Sequence, residues 1–267
     1  MKLTFLGTGT SCGVPVIGCQ CEVCRSTDAR DKRLRTSALV ETDDACILID
    51  CGPDFYHQAL RFMPEFKKID AVLLTHKHYD HVGGLDDIRP FFYSFGDIQV
   101  YANDDTASAI HRTMPYSFGD DLYPGVPRLN LNIAKEHEEI SIGSIRVMPF
   151  CVMHKALPIF AYRIGDKLAY ITDMKTIDDS ELPYLLGIEI LIVNALRFAK
   201  DHPAHLLVDE AIAFSRLLSE RNIAAGFPPI SQTFFIHTTH DIGLHDCANQ
   251  RLPEGFQFAY DGLSVTI

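Results

Sequence analysis

The sequence predicts a mixed protein of the α+β class, folded as one domain over residues 1–267. Three observations carry this reading. Apolar, β-branched runs of four to eight residues recur along the chain, each closed by Gly, Asp or His, as expected of buried strands. Two longer stretches carry helical spacing. No low-complexity tract, charge run or composition shift marks a linker, and 47% hydrophobic against 22% charged residues supplies enough apolar material for a core.

In chain order, strands are read at "KLTFLGTG" from Lys2, "ACILIDCG" from Ala45, "AVLLTHKH" from Ala71, "IRVMPFCVMH" from Ile145, "LAYITD" from Leu168, "EILIVNAL" from Glu189 and "QTFFI" from Gln232. Helices are read at "DDTASAIHRTM" and at "LLVDEAIAFSRLLSER", where Leu207, Ala211, Phe214 and Leu218 share one face. Histidines and acids cluster at the strand ends, where loops gather reactive groups around a rigid sheet.

A net charge of −11 argues against a groove for long nucleic acid, which calls for a basic surface. The start "MKLTFLGTGT" has no apolar run suited to a signal peptide, and no run of about 18 apolar residues suggests a membrane span. The expected location is cytoplasmic. In a reducing compartment the eight cysteines point to metal binding rather than to disulfides.

Two clusters carry the chemistry. "GCQCEVCR" places Cys19, Cys21 and Cys24 in one short loop, three soft ligands for a tetrahedral zinc that needs a fourth. "THKHYDH" places His76, His78, Asp80 and His81 directly after an apolar strand. On a tight turn His76 and His78 can face one way and Asp80 and His81 another, so that two metals sit side by side. Imidazole with carboxylate suits Zn²⁺, Mn²⁺ or Fe²⁺.

This second cluster resembles the H-x-H-x-D-H signature of the metallo-β-lactamase superfamily, and the likeness runs from "FLGTGTSCGVP" through "LIDCGPD" and "THKHYDHVGGLDDI" to the terminal histidines. It is most similar to the phosphodiesterase branch that opens phosphoribosyl 1,2-cyclic phosphate. The resemblance implies a four-layer αββα sandwich with a dinuclear metal site at one edge of its two sheets. It implies His154 as the third ligand of a first metal beside His76 and His78, His237 as a ligand of a second beside Asp80 and His81, and Asp173 as the bridge. Both ions are expected to be Zn²⁺ or Mn²⁺.

The same resemblance supplies the missing fourth ligand of the cysteine cluster. His240, three residues after His237, completes a structural zinc with Cys19, Cys21 and Cys24, and His245 is the weaker rival. Cys12, Cys46, Cys51, Cys151 and Cys247 are read as packing residues. Within "HPAH", His205 matches the family histidine at a helix start that contacts the substrate phosphate or protonates its leaving oxygen; His202 is assigned to the loop. A helix N-terminus there also favours an anion.

The expected reaction is attack on phosphorus by a hydroxide bridging the two cations, with His205 assisting the leaving group and Asp80 orienting the nucleophile. Thr10, Arg35, Ser37 and Arg197 are further candidates for the phosphate. The expected substrate is a small or cyclic phosphodiester, and a homodimer is carried from the family as an expectation. Rival branches of the fold are tRNA 3′-processing nucleases, lactonases or thioesterases, and a cofactor-biosynthesis accessory protein. The first of these adds a basic Gly/Pro-rich arm that is not read in this sequence.

Overall fold

The computed structural model describes residues 1–118 and 125–267. Its strands are, in order, β1 (Lys2–Gly7), β2 (Ser37–Glu41), β3 (Cys46–Ile49), β4 (Ala71–Leu73), β5 (Ile98–Ala102), β6 (Leu129–Ile133), β7 (Ile140–Ile142), β8 (Ile145–His154), β9 (Leu157–Ile164), β10 (Leu168–Ile171), β11 (Ile190–Asn194), β12 (Gln232–Ile236), β13 (Phe256–Phe258) and β14 (Ser264–Thr266). The helices are α1 (Glu22–Arg25), α2 (Phe55–Phe62), α3 (Tyr79–Val82), α4 (Arg89–Phe95), α5 (Asp104–Thr113), α6 (Val208–Ala224) and α7 (His245–Asn249). One sheet has the order β14-β1-β2-β3-β4-β5-β6, the other β13-β12-β11-β10-β9-β8-β7.

Alternation along each strand explains why the sheets stack in four layers. Ile47 and Ile49 of β3, Leu168 and Tyr170 of β10, and Phe234 and Ile236 of β12 meet in an inter-sheet core. The intervening residues face outward. Leu48 and Val72 pack under Phe55 of α2, Phe91 of α4 and Ile110 of α5, while Ala169, Leu191 and Phe235 pack under Ala211, Phe214 and Leu218 of α6. Each central strand is therefore buried on both faces, which accounts for its unbroken apolar run. The result is the αββα sandwich that the resemblance implies.

Parallel pairing sets where the site lies. Strands β3, β4, β5 and β6 run parallel to one another, as do β10, β11, β12 and β13. Tyr162 Oη donates to the Leu74 carbonyl at 2.6 Å and Phe160 N to that of Thr75 at 2.9 Å, which locks the two sheets together beside the strand ends.

Some local expectations need correction. Helix α6 begins at Val208, so Leu207 precedes it and is only half-buried. Cys46 and Cys51 are packed in the core as expected, but Cys12 and Cys247 are exposed and Cys151 is intermediate. Cys12 lies in a surface turn, and the short α7 buries His245 and Ala248 instead of Cys247. No helix among the described residues is long and apolar enough to cross a membrane.

Candidate active site

Three strands end on a non-glycine residue in the left-handed region: Asp50 after β3 (φ 58°), Asp173 just beyond β10 (φ 55°) and His237 after β12 (φ 55°). That region is costly for an L-residue. Here it turns each side chain off the strand path and into a common edge. The "THKHYDH" loop joins them from β4. Its approach depends on glycine: a Cβ on Gly52 would lie 2.0 Å from the Asp80 carbonyl oxygen, and one on Gly84 would lie 2.0 Å from that of Gly52. Cys51 N donates to His81 O and Gly84 N to Cys51 O, both at 2.8 Å, which fastens the loop to the end of β3.

The structure gathers the predicted donors into two adjoining groups. His76, His78 and His154 form one, and Asp80, His81, Asp173 and His237 the other, with one potential ligand atom of each residue within 4.8 Å of the rest of its group. Asp173 reaches both: its Oδ2 lies 3.7 Å from His76 Nε2 and 3.4 Å from His81 Nε2, and its Oδ1 lies 3.0 Å from His237 Nδ1. His154 Nδ1–H donates to the carbonyls of Asp173 (2.9 Å) and Ala204 (3.1 Å), which leaves Nε2 as its free donor atom.

Electrostatics test whether these residues fit a metal. Burial and the neighbouring His81 keep His76 neutral, well below its ordinary pKa; burial and His154 lower His78, and burial lowers His237. Burial would raise Asp173, yet His237 and His81 outweigh it and hold the carboxyl well below its usual range. Neutral imidazoles beside ionised carboxylates are the protonation states that metal ligation requires. Burial likewise opposes charge on His81, but Asp173 and Asp50 prevail and raise it well above the ordinary value. Its Nε2 is buried without a hydrogen-bond partner, although Asp80 Oδ2 is only 3.3 Å away. A divalent cation between these groups would supply the positive charge that the carboxylates demand and take up the orphaned nitrogen.

Asp50 is the functional residue that the sequence reading did not single out. Its fully buried carboxylate accepts from His81 Nδ1 at 2.7 Å and from Thr75 N at 2.8 Å, fixing the His81 tautomer so that Nε2 faces the centre. A buried acid directly after an apolar strand, in "LIDCG", was the available signal. Thr10 and Thr36 do similar work on His237, whose Nε2 and Nδ1 lie 3.1 and 3.2 Å from their hydroxyls.

His205 stands over the centre, with ring centroids 4.8 Å from His154 and 4.9 Å from His237. It is 8% exposed, and burial, followed by the neighbouring His237 imidazole, pushes its pKa down to about 3. It sits three residues before α6 rather than on it. The anion at that helix end is the chain's own Glu210, which accepts from Leu207 N at 2.7 Å and pairs with Lys175.

The other phosphate candidates are committed to the scaffold. Arg35 binds Asp54 and the Ser11 carbonyl, Ser37 donates to Asp50 O, and Arg197 pins the carbonyls of Lys200 and Asp201.

At the cysteine cluster, the Sγ atoms of Cys19, Cys21 and Cys24 lie 3.4, 3.2 and 3.3 Å from His240 Nδ1. Three sulfurs around one ring nitrogen present the donor set of a closed tetrahedral zinc site. Cys21 is brought down to about 6, chiefly by the Cys24 backbone N–H, while burial pushes Cys24 up to about 11. His245 lies elsewhere, its Nδ1 3.2 Å from a buried Arg33 nitrogen.

Comparison with known proteins agrees with this geometry. The family model described as "Beta-lactamase superfamily domain" matches residues 46–225. An octanoyltransferase of Porphyromonas gingivalis is 41% identical over 268 residues, covering 100% of this chain and 52% of that protein. A ribonuclease Z of Prochlorococcus marinus is 29% identical over 175 residues, covering 62% of this chain and 50% of that protein. The chain thus spans about half the length of these curated relatives. The crystal structure of a new diphosphatase from the PhnP family superposes with a TM-score of 0.86 at 38% identity, covering 100% of this chain and 97% of that one. On the family match, and on this full-length likeness, the chain belongs to the beta-lactamase superfamily, in its PhnP family, and has the fold of a metallo-β-lactamase hydrolase.

Proposed function

We propose that the protein is a metal-dependent phosphodiesterase that cleaves one P–O bond of a small diester, cyclic or diphosphate-linked. The observation that carries this reading is the pair of donor groups sharing Asp173, with His205 poised above them. His76, His78 and His154 would hold one divalent cation, Zn²⁺ or Mn²⁺, and Asp80, His81 and His237 the second, with Asp173 between them. Two such ions would neutralise the phosphoryl oxygens and acidify water at neutral pH.

The remaining work falls to the chain. Asp80 faces the centre as a carboxylate, held in that form by His81 against the opposing effect of burial, and orients the attacking water. His205, neutral at pH 7, acts as a hydrogen-bond donor to the departing oxygen, as a preorganised dipole does in a water-poor site. Its ring is fixed by the imidazoles on either side, so no reorganisation precedes the reaction. Cys19, Cys21, Cys24 and His240 would hold a structural zinc that braces the segment carrying His237.

The net charge of −11 favours a small substrate over structured RNA. This chain matches only 52% of the P. gingivalis octanoyltransferase, so that name does not by itself assign acyl transfer to the chain. The deciding experiment loads the purified protein with Mn²⁺ or Zn²⁺ and compares bis-p-nitrophenyl phosphate, a cyclic nucleotide, p-nitrophenyl phosphate, a lactone and a precursor tRNA. Turnover of the diesters, with little on the monoester, is expected. Preference for the lactone, or efficient cleavage of the tRNA, would sink the reading.

A further inference from the structure

Helices α2 and α4 frame a groove that encloses about 400 Å³, the size of a small-molecule site. Phe55 and Phe91 form its floor, with ring centroids 6.0 Å apart, and Tyr56, Leu60, Met63 and Phe66 form its walls. The floor is buried, but Tyr56, Leu60 and Phe66 are 57, 69 and 55% exposed. Their crowding has a local cause. Pro64 keeps α2 from continuing past Phe62, and Phe66 then packs its ring on Phe91 and Phe95 of α4, at 4.9 and 5.3 Å between centroids. Aromatic rings thereby bridge the two helices on a surface that water reaches. A contiguous apolar patch of this kind marks a binding surface.

The charge around the groove is one-sided. Glu65 and Asp87 line it, and no basic residue does. The cations that act on these acids are committed elsewhere or exposed: Lys67 pairs with Glu41, Arg89 pairs with Asp86, and His57 lies on the open surface. Among the described residues neither Glu65 nor Asp87 has an ion-pair partner of its own. The groove also abuts the catalytic edge. Phe55 N donates to Gly52 O at 3.0 Å and Asp87 N to Gly84 O at 2.9 Å, and these are the two glycines that let the site loop approach. An occupant would rest against the fastening of that loop while lying outside both donor groups.

We infer that this groove is a binding site for an organic cation, a compact apolar or aromatic body that carries one ammonium group. The body displaces water from Phe55, Phe91 and Met63, and the ammonium meets Glu65 and Asp87 at the rim, where the Tyr56 and Phe66 rings attract it further. An anion of the same shape would face two uncompensated carboxylates. A second copy of this chain would bring its own two acids to the contact.

The test uses the metal-loaded full chain with ¹³C-labelled methionine methyls and three probes of one shape: phenylbutylamine, phenylbutanol and phenylbutanoate. The Met63 methyl signal, assigned by its loss in Met63→Leu, should shift on adding the amine. Those of Met153 and Met174, which adjoin His154 and Asp173 in the sequence, should stay in place. Titration should show the amine binding about 5- to 20-fold more tightly than the alcohol, from two partly exposed charge contacts and a cation–π contact, and the carboxylate more weakly than the alcohol. The double variant Glu65→Gln with Asp87→Asn changes exposed groups only. It should bring the amine to the alcohol's affinity and leave the alcohol's own affinity unaltered. No shift at Met63 with any probe would overturn the site. Equal affinity of the unaltered protein for amine and alcohol, or an amine preference that survives the double variant, would overturn the cation class. So would a concentration-dependent dimer, seen by sedimentation, that perturbs the Met63 signal and that the amine does not dissociate, since a second copy would then be the occupant.

Discussion

Replacing Asp50 with Asn alters one charge and leaves the shape of the side chain intact. In the structure Asp50 uses one oxygen for Thr75 N (2.8 Å) and the other for His81 Nδ1 (2.7 Å), with the Thr75 hydroxyl 2.9–3.0 Å from both. An amide can satisfy Thr75 N only by turning its NH₂ towards His81. The imidazole must then accept at Nδ1 and carry its proton on Nε2, the atom that faces the donor group. Losing such an orienting partner typically costs 10- to 100-fold in metal affinity, about 1.4–2.8 kcal/mol. The assay is competitive metal titration with a chromophoric chelator, alongside kcat at saturating Mn²⁺. We expect weakened binding at the Asp80–His81–His237 group, with the thiolate zinc retained. Asp50→Ala should also unfold more easily, since it leaves Thr75 N and His81 Nδ1 unpaired in the interior, at about 1–3 kcal/mol for each unsatisfied group. Metal affinity and turnover within twofold of the unaltered protein in the Asn variant would refute the claim that Asp50 sets the His81 tautomer.

Elemental analysis should find three metals per chain, and mild chelation should strip the open pair before the closed thiolate site; one metal or fewer in undepleted protein would contradict the assignment. Asp173→Ala and His78→Ala should abolish diesterase activity with loss of metal, whereas His205→Ala should keep its metals and slow turnover by about 10²- to 10³-fold, so metal loss in the His205 variant would refute the donor role. Asp261 supplies a pH prediction away from the metals. Burial pushes its pKa up to about 7, against the opposing hydrogen bonds from Leu34 N and Thr8. Because the folded state then holds a proton that the unfolded chain releases, stability should fall as pH rises from about 4 to about 7 and level off above, by up to roughly 4 kcal/mol. Urea midpoints of the unaltered protein and Asp261→Asn across that range would show it as a steeper fall with pH in the first than in the second.

The parts of this molecule that were legible in sequence are those whose physics is local. Strands β3, β4, β10, β11 and β12 are covered on both faces, so each appears as an unbroken apolar run. Strands such as β6, "LNLNI", and β14, "SVT", are short and partly exposed at the sheet edges, and left no comparable mark. Helix α2 was missed because its eight residues mix aromatic, polar and charged side chains, with only Phe55 and Gln58 buried. Within the site, His76, His78, Asp80 and His81 announce themselves by spacing, while His154, Asp173 and His237 needed a family resemblance to be picked out. Asp50 takes its meaning from a partner 31 residues away, through a hydrogen bond to His81. That contact is not encoded in a short pattern. Arg35 and Arg197 show the converse: plausible anion ligands by type, each already occupied by carbonyls and carboxylates.

The left-handed backbone at Asp50, Asp173 and His237 has an evolutionary side. Strain of this kind runs to roughly 1–3 kcal/mol per residue, against a net stability of only about 5–15 kcal/mol for a whole domain. The sandwich must therefore be over-built elsewhere to tolerate its own working edge. A duplicate copy freed from selection for catalysis would gain by relaxing these three positions first, and would decay into a sturdier, inert relative. Selection for activity is accordingly what keeps this protein less stable than its layers alone would make it.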